Sequence, residues 1–129
     1  MLPTVVPVYA AIFALVFVVL SMRVANTRRI MQIGLGSGGN VVLERRIRVQ
    51  GNFAEYVPLA LILFTFIEMQ GWSRWVIHAL CLALLAARLT HAYGVAQEPE
   101  TIPIRASAMM VTFLIFIVAA AILLLDAII

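Results

Sequence analysis

The chain has 129 residues, 64% of them hydrophobic, and a mean hydropathy of +1.09. A soluble domain carries roughly 45–50% apolar residues, and one of this size could not cover so much apolar surface, so a soluble fold is excluded and an integral membrane protein expected. The formal charge of +3 does not point to nucleic acid, because all nine basic residues are arginines grouped at the ends of apolar stretches and report orientation in a bilayer instead.

Four apolar stretches follow in order: Thr4–Met22, Phe53–Met69, Arg74–Tyr93 and Ala106–Leu125. Each approaches the roughly 20 residues that cross about 30 Å of hydrocarbon. With their polar extensions, helices are expected over about 4–25, 42–69, 73–94 and 104–126, giving one all-α four-helix membrane bundle over residues 1–129. The first stretch starts around Pro3 or Pro7, has no basic leader or small-residue cleavage site, and reads as a retained helix and not as a signal peptide. Its polar extension runs through Arg29. Gly34 to Asn40 form a flexible connection that matches a G-x-G-x-x-G pattern by letter only, since a dinucleotide fingerprint needs a preceding strand.

The second helix resumes near Val42 and carries Glu44, Arg45, Arg46 and Arg48 into the membrane, and Pro58 is expected to bend it. The connection Gln70-Gly-Trp-Ser73 makes the second and third helices an antiparallel hairpin, with Trp72 and Trp75 suited to an interfacial belt. The third helix is expected to end near Tyr93-Gly94. The fourth is featureless apart from small residues that permit close packing. Cys81 is the sole cysteine and reads as a small hydrophobe. With His78 it offers two ligands, too few for a zinc site, so no metal is expected.

Eight arginines lie in or beside the first and third connections, and only Arg74 lies at the other side. Those connections are therefore expected to be cytoplasmic, with both termini outside. Counting about 20 residues back from Glu68 puts Arg48 at the cytoplasmic boundary. At about 1.5 Å per residue, Asn52 lies roughly one turn deeper and Glu55 two. On the third helix Arg88 falls level with Glu55, so an ion pair between the two is expected. Gln50, Asn52 and Tyr56 accompany Arg48, while His91 and Tyr93 accompany Arg88, with Arg28, Arg29 and Arg105 nearby. This set reads either as a clamp on the helix hairpin or as a polar crevice for a carboxylate-bearing ligand. Individually, Tyr93 also suits an interfacial anchor, His91 a packing residue, and Arg23, Arg28 and Arg29 topology signals or contacts to lipid headgroups.

The stretch Glu44-Arg-Arg-Ile-Arg48-Val-Gln50-Gly-Asn52-Phe-Ala-Glu55-Tyr56-Val-Pro58 resembles the second-helix signature of the MAPEG family, the membrane-associated proteins in eicosanoid and glutathione metabolism, which reads approximately E-R-x-x-R-A-Q-x-N-x-x-E-Y-x-P. Its likeness is to the short bacterial members. The resemblance implies a homotrimer in a bacterial inner membrane, with glutathione as co-substrate bound between protomers near the cytoplasmic face. It also implies glutathione binding by Arg28, Arg48, Gln50, Asn52, Glu55, Tyr56, Arg88, His91 and Tyr93, and thiolate stabilisation by Arg105. The third helix departs from the pattern R-x-x-Y-x-x-G-Y of the synthases in that family, with His91 and Val95 at the two tyrosine positions.

The function implied is a glutathione transferase or lipid hydroperoxide peroxidase acting on lipophilic substrates that approach through the bilayer. The alternative is a non-catalytic glutathione- or lipid-binding scaffold of the same family. A transporter or channel fits less well, because the polar residues cluster at one membrane face.

Overall fold

A computed structural model describes residues 1–128. It contains α1 (Val6–Met31), α2 (Val41–Met69), α3 (Arg74–Ala96) and α4 (Ile102–Asp126), with no strand among the described residues. All four helices are long and apolar enough to cross a membrane. The protein is thus an all-α, four-helix membrane bundle. Helix α2 packs against each of the other three, whereas α1 and α4 make no close backbone contact with one another.

Helix lengths follow the hydropathy pattern, and α1 and α2 carry polar extensions beyond their apolar runs. Helix α1 continues to Met31, and α2 begins at Val41 where Asn40 caps it, the side-chain oxygen accepting from the Leu43 amide at 2.9 Å. The helix runs unbroken through Pro58. Helix α3 passes the expected stop at Tyr93-Gly94 and ends at Ala96. The first connection is not loose: the Arg28 guanidinium donates to the Gly36 carbonyl at 2.7 Å and ties the loop back to α1.

The bundle interior is aromatic and aliphatic. Phe13, Phe64, Ile77 and Leu84 are almost wholly buried, and Phe53 packs between Phe13 and Phe17 with ring centroids 5.9 and 6.0 Å away. Cys81 is fully buried among them, as its reading as a small hydrophobe requires. Leu15, Ile62, Met110 and Ile117 are half or more exposed on the outside, where a bilayer supplies their surroundings.

One end of the bundle is closed by an acid that the sequence used only as a depth marker. Glu68, in the last turn of α2, is buried and accepts from the backbone amides of Thr4, Val5 and Val6 at 2.7, 2.6 and 2.8 Å. These amides precede or open α1, where no side chain of the N-cap Val5 serves them. Pro7 has no amide to satisfy, and the Val8 and Tyr9 amides return to the Val5 carbonyl. Every donor at the start of α1 thus has an acceptor. Nearby, the Trp72 indole donates to Asp126 at 2.5 Å, joining the α2–α3 turn to the end of α4.

Candidate functional site

The opposite, arginine-rich end holds a polar cavity of about 230 Å³. Val41, Glu44, Arg45, Arg48 and Asn52 form one wall, and their spacing of three, one, three and four places them on one stripe of α2. His91 and Val95, one turn apart, supply the wall from α3, and Glu100 and Arg105 close it from the α3–α4 connection and the first turn of α4.

Both signs of charge line this space, with cations in excess. Arg105 pairs with Glu100 at 2.7 Å, and Arg45 reaches the other Glu100 oxygen at 3.8 Å while donating to the Val95 carbonyl at 3.1 Å. The Nε of Arg45 is buried without a partner. Arg48 pairs with Glu55 at 3.7 Å, both side chains being more than half exposed; such a pair contributes little stability and leaves Arg48 free to turn toward a ligand.

Arg88 departs most from expectation. It makes no ion pair with Glu55, which faces outward to Arg48. Instead Arg88 is buried at 2% exposure, donates from Nη1 to Asn52 Oδ1, and from Nη2 to Thr112 Oγ1 at 2.6 Å and Met109 Sδ at 3.4 Å. The guanidinium carbon lies 5.4 Å from the Tyr56 ring centroid, within cation–π range. Matching helix depth left the azimuth of each side chain open. Asn52 and Glu55 are three residues apart, about 60° around the helix, enough to turn one inward and the other out. Thr112 passes its own proton to the Ala108 carbonyl at 2.9 Å, so its oxygen is available to Arg88.

This arrangement has a chemical consequence. A guanidinium only donates, so it fixes Asn52 with its oxygen toward Arg88 and its amide NH2 free. Asn52 therefore offers donors to the cavity, beside Arg48 and Arg105. The lining suits a ligand with carboxylate or carbonyl acceptors.

Arg48, Asn52, His91 and Arg105 are brought to one cavity, and Arg88 stands behind Asn52. The other residues singled out in the sequence lie elsewhere in the chain. Gln50 turns to α1 and donates to Ser21 Oγ at 3.2 Å. Tyr56 packs on α4 against Phe113 and Phe116. Tyr93 is 59% exposed outside the cavity, and Arg28 holds the first connection. Glu44, Arg45 and Glu100 were missed as lining residues. The first two belong to the same α2 stripe as Arg48 and Asn52, a periodicity legible in the sequence. Glu100 lies in a connection, where periodicity gives no orientation. His78 shares a hydrogen bond with the Tyr9 hydroxyl at 2.9 Å, and no cluster of three metal-binding side chains occurs among the described residues.

The MAPEG family model matches residues 6–125, nearly the whole chain. The chain belongs to the MAPEG family. It is similar to the inner membrane protein YecN of Escherichia coli K12, with 40% identity over 86 residues. The same identity and length hold for YecN of Escherichia coli O6:H1, strain CFT073. The alignments cover 67% of this chain and 66% of each relative, just under two thirds of the relatives' length.

Within this MAPEG bundle, Gly94 lies directly against the first turn of α4. A Cβ there would lie 3.1 Å from both the Arg105 amide nitrogen and Ile104 Cγ2. Alanine gains about 1 kcal/mol of helix propensity over glycine, which offsets the crowding, but backbone cannot yield as a flexible side chain does. Gly94→Ala is expected to leave the unfolding midpoint nearly unchanged while shifting Arg105 and weakening ligand binding several-fold. Paired denaturation and ligand titration check this; unchanged affinity refutes it.

Proposed function

We propose that this MAPEG protein is a glutathione-dependent enzyme of a bacterial inner membrane, joining the thiolate of glutathione to lipophilic electrophiles or using it to reduce lipid hydroperoxides. The observation that carries the reading is the convergence of Arg48, Asn52, His91 and Arg105 on one cavity at the arginine-rich end. Family membership supports the thiol, and the naming of the relatives as inner membrane proteins supports the location. The arginine-rich end faces the cytoplasm and both termini lie outside, on the charge asymmetry of the connections.

In this reading Arg48 binds a carboxylate of the tripeptide and the Asn52 amide donates to a carbonyl or carboxylate oxygen, held in that sense by Arg88. Arg105 places a positive charge near the sulfur, which favours the thiolate at neutral pH. The lipophilic partner enters from the bilayer. The protein works as a homotrimer with the tripeptide between protomers, so Arg28, Gln50, Glu55, Tyr56 and Tyr93 act from outside the cavity of the single protomer.

The test is calorimetric titration of glutathione into the detergent-solubilised protein, followed by ultraviolet absorbance of the thiolate. Arg105→Ala is expected to keep binding within a few-fold while abolishing the thiolate signal and lowering turnover by roughly 10²-fold or more. No binding by the native chain rejects the proposal. A second reading, a binding scaffold without catalysis, is favoured by one observation: Arg105 is already occupied by Glu100. Tight glutathione binding with no thiolate band would decide for it.

A further inference from the structure

The strongest feature outside the cavity lies on the far side of α2. Arg23, Asn26 and Arg29 of α1 and Arg46 of α2 line an open notch of about 710 Å³, with Val19 and Met22 at its foot. Arg46 is pinned to α1 by its hydrogen bond to the buried Thr27 hydroxyl, so the notch has a fixed wall. Among the described residues its cations have no internal counter-charge. Of the six acidic residues, Glu44 and Glu100 line the other cavity, Glu55 pairs with Arg48, Glu68 serves the start of α1, and Asp126 meets Trp72. Glu98 sits in the α3–α4 connection and makes no ion pair with the notch among the described residues.

The helix below the notch is apolar on the same stripe. Leu15, Val19, Met22, Asn26 and Arg29 follow at spacings of four, three, four and three, a single line along α1. The first three are 69%, 57% and 64% exposed. The line therefore changes from apolar to cationic between Met22 and Asn26, where the hydropathy of the first span also ends.

We infer that this notch is a binding site for an anionic phospholipid, its phosphate held by Arg23, Arg29 and Arg46 and one acyl chain lying along Leu15, Val19 and Met22. A phospholipid presents an anion directly above a hydrocarbon chain, the same order that α1 presents in reverse. A free phosphate would use the guanidinium groups and leave the apolar stripe bare. A second copy of the chain would need a carboxylate level with Asn26 beside an apolar face, a coincidence that a lipid does not require. The inference is independent of the proposed thiol chemistry.

The full chain, reconstituted in phosphatidylglycerol–phosphatidylcholine vesicles and extracted in mild detergent, is examined by native mass spectrometry for retained lipid. The native protein is expected to retain phosphatidylglycerol in preference to phosphatidylcholine. R23Q/R29Q, at exposed positions, is expected to lose that preference by roughly thirty-fold, from two basic residues at the membrane surface. R23K/R29K should keep most of it, since headgroup attraction depends on charge, and its retention shows that loss in the glutamine variant is not misfolding. Excess inorganic phosphate should not displace the lipid. Equal retention of both lipids, an unchanged glutamine variant, or displacement by phosphate overturns the inference.

Discussion

Asn52→Leu is expected to destabilise the bundle by about 3 kcal/mol, because it removes the acceptor for a buried guanidinium that no carboxylate compensates. Arg88 keeps Thr112, Met109 and the Tyr56 face, but its Nη1 loses its partner and its Nε already has none. Replacing both residues, as Asn52→Leu with Arg88→Met, is expected to recover most of the loss, since the double variant buries neither a charge nor an orphaned amide. A double-mutant cycle on unfolding in mixed micelles measures this. Additive losses would show that the two side chains act separately. Arg88→Met alone should preserve the fold and weaken ligand binding about tenfold, because the Asn52 amide is then free to flip.

The second large effect belongs to the other end. Glu68→Ala is expected to cost about 4 kcal/mol, as three backbone amides lose a charged acceptor in a place water reaches poorly. Glu68→Gln should cost about half as much, because an amide oxygen in the Oε1 place still accepts from Thr4 and Val5 while the NH2 opposes the Val6 amide. The specific readout is hydrogen exchange. Amides of Thr4, Val5 and Val6 should lose protection in Glu68→Ala before the interior of α1 does. Retained protection at those amides would remove the role given to Glu68.

The architecture was legible because span length and hydropathy are properties of the chain alone. The four helices, the hairpin between the second and third, and the polar extensions of the first and second all followed from that pattern. Helix α3 runs two residues past the stop expected near Tyr93-Gly94, because Gly94 does not terminate it and instead lies against the start of α4. The site was legible in level and not in direction. Arg48, Asn52, His91 and Arg105 share a cavity as their common depth implied. Which of them faces inward depends on the roll of each helix, which a count of residues does not give. Hence Arg88 was assigned to Glu55 when its partners are Asn52 and Thr112, the latter on a helix that had read as featureless. Glu68 did leave a signal. A carboxylate in the last turn of a helix opposes that helix's dipole, so it is expected only where another helix's N-terminus offsets the cost.

The length of α2 carries one last implication. Its 29 residues extend about 44 Å, whereas the oily layer is about 30 Å thick. With the Glu68 end flush, the first two turns stand clear of the lipid like a mooring post, and the cavity straddles the waterline. A hydrophilic compound can reach Arg45 and Arg48 without entering hydrocarbon, while a greasy one can arrive beside Asn52 without leaving it. A cavity at that height opens to water on one side and borders hydrocarbon on the other.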